Sequence, residues 1–160
     1  MRFSFFLGIC FLFVLACQTG DKKSALVPLD LMQYGVPLTI QAPDSAEVKT
    51  MDMGFMKDVT IKKNGDYYVQ IYASQANTTD VVKILAQQLK EVKDNRYFSK
   101  IIREEDAGFI YETAIDSLNI SYGFRHVRIQ GDNEFIFQTG LIGTFSLEDV
   151  EYMFDSVKSK

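Results

Sequence analysis

The patterning that most narrows the fold is two-residue alternation, repeated along the chain and broken by short runs of turn-forming residues. Val36, Leu38 and Ile40 share one side of an extended segment, Thr39 and Gln41 take the other, and Pro43-Asp44 closes it. Val59-Thr60-Ile61 and residues 67–72 flank Asn64-Gly65, whose two residues tolerate the positive φ of a tight hairpin. Phe109, Tyr111 and Thr113 alternate with Ile110, Glu112 and Ala114. The strand-like stretches 120–130 and 134–141 meet at Gly131-Asp132-Asn133. A parallel partner needs a crossover of a dozen or more residues, so joins this short imply antiparallel pairing.

Two segments change period. After Asn77-Thr78-Thr79-Asp80, which offers several N-caps, Val81, Val82, Leu85, Leu89 and Val92 recur at three and four. Lys83, Gln87, Lys90 and Glu91 are left outside, and Asp94-Asn95 can end the helix. Near the C-terminus Ser146 caps, Asp149 follows three on, and Phe145 can staple to Val150. Val150, Met153, Phe154 and Val157 then make the buried stripe. The expectation is an α+β fold: an antiparallel β-sheet of about six strands with two covering α-helices, in the order strands, helix, strands, helix.

The first 16 residues follow a different logic. Arg2 is their only charge, residues 5–16 contain no strongly polar side chain, and the small residue Ala16 ends the run. That is the layout of a secretory signal. A spanning helix needs roughly 20 apolar residues, and this run stops at Gln18-Thr19-Gly20-Asp21. A core helix would be apolar along one stripe, whereas this segment is apolar all round.

The four residues Val14-Leu15-Ala16-Cys17 resemble the lipobox of bacterial lipoproteins. The resemblance implies cleavage before Cys17, lipid on its thiol and acylation of the new amino terminus. Leu and a small residue usually occupy the first two positions, so Val14 and Leu15 depart from the commonest form. Several acyl chains, each buried methylene contributing about 0.8 kcal/mol, would make attachment effectively permanent. In many envelopes with two membranes Asp after the cysteine retains a lipoprotein in the inner one; Gln18 stands here, which implies the outer membrane. The resulting division is a signal peptide at 1–16, a lipidated cysteine with polar tether at 17–24, and one domain at 25–160. The tether can extend roughly 20–25 Å.

Cleavage also decides the chemistry left behind. Cys10 leaves with the signal and Cys17 takes the lipid, so no free thiol remains for a disulfide, a metal or a nucleophile. The mature chain keeps 16 of the 17 bases against 21 acids, and that net negative charge opposes nucleic-acid binding. Its one histidine removes chemistry that needs two. No phosphate loop, nucleophile elbow or nucleotide fingerprint occurs.

A second similarity covers nearly the whole mature chain. Residues 34–43 (Tyr-Gly-Val-Pro-Leu-Thr-Ile-Gln-Ala-Pro) resemble the opening strand of PsbP-like domains, and residues 154–159 resemble their C-terminal helix. The aromatic residue that often follows the first strand's proline is missing, since Asp44-Ser45-Ala46 stands there. The resemblance implies an α+β accessory or binding module and carries no functional residues over.

Individual candidates have plainer readings beside them. Tyr122, Phe124, His126 and Arg128 share one strand face. They are either a ligand strip with a titratable centre or a sheet face covered by rings and cation stems, and the second needs only packing. Glu104-Glu105-Asp106 lacks the ligand spacing of a calcium loop and reads as a solvated acidic turn. The strand aromatics read as core. The expected protein therefore has no catalytic residue, metal site or cofactor, and lipidates at Cys17. Its partners are the membrane, through that lipid, and an envelope protein or small ligand. A membrane-anchored, non-catalytic binding or accessory domain is the first reading. The alternative is an envelope hydrolase working with carboxylates and hydroxyls.

Overall fold

A computed structural model describes residues 23–158. The signal segment, Cys17 and the tether up to residue 22 lie outside the described residues. Strands β1 (Leu26–Asp30) and β2 (Thr39–Pro43) form a two-stranded hairpin. The main sheet holds seven antiparallel strands: β3 (Glu47–Asp52), β4 (Met56–Lys63), β5 (Tyr67–Gln75), β6 (Phe98–Glu105), β7 (Gly108–Ala114), β8 (Ile120–Gln130) and β9 (Asn133–Thr139). Their order is β3-β4-β5-β9-β8-β7-β6. Helix α1 (Val81–Lys93) and helix α2 (Leu147–Val157) complete an α+β fold.

All six strands expected from alternation are present, and three more exist. β1 carries Pro28 and has five residues; β3 is an edge strand almost wholly in water; β6 is an edge strand whose pairing is interrupted by two irregularities. None of them has an apolar period to detect. At Asn64-Gly65 the hairpin forms with Asn64 alone at positive φ (53°). β9 stops at Thr139, so Leu141 lies in a loop rather than a strand.

Register sorts the side chains. Val59 faces Ile71 and Ile71 faces Phe137, while His126 also faces Phe137 and Phe124 faces Ile110. One side of the sheet is thus a continuous apolar layer, here called the inner face. Helix α2 lies across it beside β2, burying Val150, Met153, Phe154 and Val157 as its pattern requires. Leu31, Val36, Leu38, Ile40 and Ala42 of the hairpin region close the rest of the core.

Helix α1 lies on the opposite, outer face, along β8. Asp80 is its cap, accepting from the Lys83 amide at 3.1 Å. Its buried line is Ile84, Gln88 and Val92, while Val82 is exposed; the expected stripe through Val82 is about one residue out of phase. The cause is that the outer face offers little apolar surface beyond Phe109 and Val127, so the contact narrows to one line and tolerates a glutamine. Among the described residues, no helix is long and apolar enough to cross a membrane.

Candidate functional site

The part of the outer face that α1 does not cover is polar and aromatic. Because Val69, Ile71, Phe137 and Phe124 point inward, their neighbours Gln70, Tyr72, Gln138 and Arg125 must point outward. Pairing then aligns Gln70 with Gln138 and Gln138 with Arg125, a row across three strands. Asp58 of β4 stands opposite Tyr72.

Hydrogen bonds tie the row together. Gln70 Nε2 donates to Asp58 Oδ2 at 2.7 Å, and Gln138 Nε2 donates to Gln70 Oε1 at 3.1 Å and to the Tyr72 hydroxyl at 3.4 Å. Arg125 Nη1 reaches the Tyr111 hydroxyl at 3.4 Å and its neighbour's carbonyl at 3.1 Å. Gln70 and Gln138 are only 5% and 4% exposed although no helix covers them. The cover comes from side chains on the same face, with Tyr68, Tyr72, Tyr111 and Arg125 each half-buried around them.

Two polar atoms of this network stay unmatched: Asp58 Oδ1 and Arg125 Nε are buried without a hydrogen-bond partner. An unmade buried hydrogen bond costs about 1–3 kcal/mol, more for charged groups. Burial, with the Asp58 carboxylate adding to it, holds the Tyr72 hydroxyl above its ordinary pKa, so Tyr72 is a neutral donor and acceptor near pH 7. Two close approaches shape the face. A Cβ at Gly123 would fall 2.6 Å from the Tyr111 ring, and one at Gly140 would fall 2.2 Å from the Tyr68 ring. The two glycines let these rings lie flat on the backbone.

The residues singled out from sequence fall elsewhere. Tyr122, Phe124, His126 and Arg128 belong to the inner face that α2 crosses, where Phe124 and His126 are buried and Tyr122 and Arg128 half-exposed, as packing against the helix requires. The His126 ring packs 5.4 Å from that of Phe137 and 6.1 Å from that of Phe154. Burial, reinforced by the Arg128 and Lys158 charges, lowers its pKa to about 4. The Glu104-Glu105-Asp106 run is not a wholly solvated turn: Glu104 and Glu105 end β6, and half-buried Glu105 is bound by Lys158 at 3.1 Å and by Arg103, which also reaches Asp155 at 3.0 Å. These ions cover the Phe154 ring, with Lys158 Nζ 4.7 Å from its centre. Among the described residues no cluster of His, Cys, Asp or Glu is fit to hold a metal ion. Not all strand aromatics are core: Tyr67, Phe109, Phe124, Phe135 and Phe137 are buried, while Tyr68, Tyr72, Tyr111 and Tyr122 are half-exposed. Cys17 lies outside the described residues.

Asp58, Gln70, Gln138 and Arg125 were not among the candidates read from sequence. Their outward phase against Val59, Val69, Phe137 and Phe124 is visible in each strand alone. That they converge depends on β5 pairing with β9 across a gap of more than fifty residues. Comparison with known protein families, characterised proteins and solved structures gives no match.

Proposed function

We propose that this protein is an envelope lipoprotein, held on a membrane by lipid on Cys17, whose domain binds a polar partner or ligand on the open face of its sheet and does no chemistry on it. The observation carrying this reading is the Asp58–Gln70–Gln138–Arg125 row with its half-exposed tyrosines. Half-exposed Tyr68, Tyr72, Tyr111 and Arg125 present ring faces, hydroxyls and a guanidinium on a shallow surface over the buried Gln70–Gln138 pair, and Asp58 Oδ1 and Arg125 Nε beneath them have no partner. Tyrosine and arginine suit such a surface, since both give large contact area and directed hydrogen bonds. The hydrolase alternative needs an acid–base pair or an activated nucleophile within hydrogen-bond reach. Asp58 is the one carboxylate in this row, and its partner is a glutamine amide. The accessory role implied by the PsbP-like resemblance points the same way, and the lipobox-like Val14–Cys17 supports an envelope location, with Gln18 favouring the outer membrane.

Two measurements test the proposal. Fatty-acid labelling of wild type and Cys17→Ala reads the anchor; equal label in both would end the lipoprotein reading. A photo-crosslinker placed at Tyr72 in cells reads the face. The expected adduct forms there, is lost with Arg125→Ala, and does not form from exposed Lys83 on α1. Turnover of a chromogenic ester or glycoside that Asp58→Asn abolishes would favour the hydrolase instead.

A further inference from the structure

We infer that the end of the domain where the tether arrives is itself a lipid-contacting tip, entering the membrane interface through the β7–β8 loop and the loop after β9. This inference rests on the anchor at Cys17. Its ground is the position of Lys23, the first described residue, which pairs with Glu148 and Asp149 at 3.5 and 3.3 Å in the first turn of α2. The Tyr152 hydroxyl donates to the carbonyl of Ser24. Lys23 and Ser24 therefore sit beside the N-terminal end of α2, and six residues back to Cys17 span at most about 20 Å. With lipid on Cys17, that reach holds this end of the domain close to the bilayer.

The same end carries the apolar loops. The Tyr122 amide donates to the Phe145 carbonyl at 3.2 Å, joining the start of β8 to the segment that leads into α2. Residues of both loops, Ile115, Asn119 and Thr144 among them, line one cavity of about 230 Å³. Four aliphatic side chains project from these loops: Ile115 is 69% exposed, Leu118 91%, Leu141 74% and Ile142 79%. Residues 140–144 (Gly-Leu-Ile-Gly-Thr) carry no charge. The one acid of the other loop is turned to internal use, since Asp116 accepts from the Leu118 and Asn119 amides at 2.8 and 2.9 Å. Exposed aliphatics gathered on uncharged or self-satisfied loops, at the end a lipid anchor holds against the bilayer, fit an interfacial contact that shares the anchoring.

The chain has no tryptophan, so single Trp substitutions report one place each. Leu118→Trp and Ile142→Trp probe the tip. Phe55→Trp probes the β3–β4 turn at the opposite end, where the side chain is also exposed. The full chain, expressed and processed in a bacterial host, is reconstituted in phosphatidylethanolamine–phosphatidylglycerol vesicles with brominated acyl chains. The expected result is a blue-shifted maximum and loss of emission at positions 118 and 142, with neither at 55. Acylated protein that floats with the vesicles but shows unquenched tip emission overturns the tip and leaves the anchor standing. Unacylated protein whose tip is still quenched overturns the anchor and leaves the tip standing. Quenching at 55 alone, or a blue shift at the tip without vesicles that grows with protein concentration, overturns the tip in favour of another orientation or of self-association.

Discussion

His126 sits on the inner face where ordinary strand alternation put it, and the consequence is electrostatic. Its folded pKa of about 4 lies below the ordinary value of 6.5. Between those values the unfolded chain binds a proton that the folded chain refuses, so this residue's contribution is present above 6.5 and is lost as pH falls through the window. At 1.36 kcal/mol per unit, lowering the pH from about 7.5 to about 4.5 should shift relative stability toward His126→Phe by about 2.5 kcal/mol. Urea melts of both proteins at the two pH values measure it; parallel losses would mean that the histidine does not titrate as its burial requires. Gly140 offers a steric counterpart. An added Cβ would lie 2.2 Å from Tyr68 Cδ2 and 2.3 Å from its Cγ, the root of the ring, which cannot swing away cheaply. Gly140→Ala should cost about 1–3 kcal/mol, and adding Tyr68→Ala should recover part of that, as a double-mutant cycle would show.

Helix α2 is the element whose local and tertiary instructions agree. Ser146 and Asp149 form a complete capping box, the Asp149 amide donating to Ser146 Oγ at 3.2 Å. Phe154 is fully buried against Phe124, with ring centres 5.7 Å apart. Phe154→Ala should cost about 3–5 kcal/mol and Ser146→Ala about 1 kcal/mol. Half-exposed Glu151 should change to Ala within roughly 0.5 kcal/mol. In α1 the phase found in the structure can be tested against the phase read from sequence. Ile84→Ala should cost about 2–4 kcal/mol while exposed Val82→Ala stays within about 0.5 kcal/mol, and the reverse order in urea melts would restore the stripe through Val82.

On the scale of the whole molecule, the buried clusters close within residues 23–158, and Lys23 is already paired with the first turn of α2. A chain begun at Lys23 should therefore melt in one cooperative step with mixed helix and strand signals, followed by far-ultraviolet circular dichroism. A broad or strand-free transition would show that the preceding residues are needed for the fold. Much of this architecture is legible in the sequence because it is local. Strand alternation, the Asn64-Gly65 turn and the Ser146–Asp149 box act over a few residues, so six strands, both helices and the buried stripe of α2 can be read directly. Edge strands β3 and β6 escape because a strand bathed in water on one or both faces needs no apolar period. The phase of α1 escapes because it is set by the apolar surface it meets, Phe109 and Val127 on the outer face, rather than by its own valines. Only the tertiary structure brought Asp58, Gln70, Gln138 and Arg125 into one row, since their meeting depends on strand order and register between distant segments. Only it put Lys23 and the aliphatic loops at the same end. Short-range chemistry wrote the elements, whereas long-range pairing, which no local pattern encodes, decided which side chains face one another.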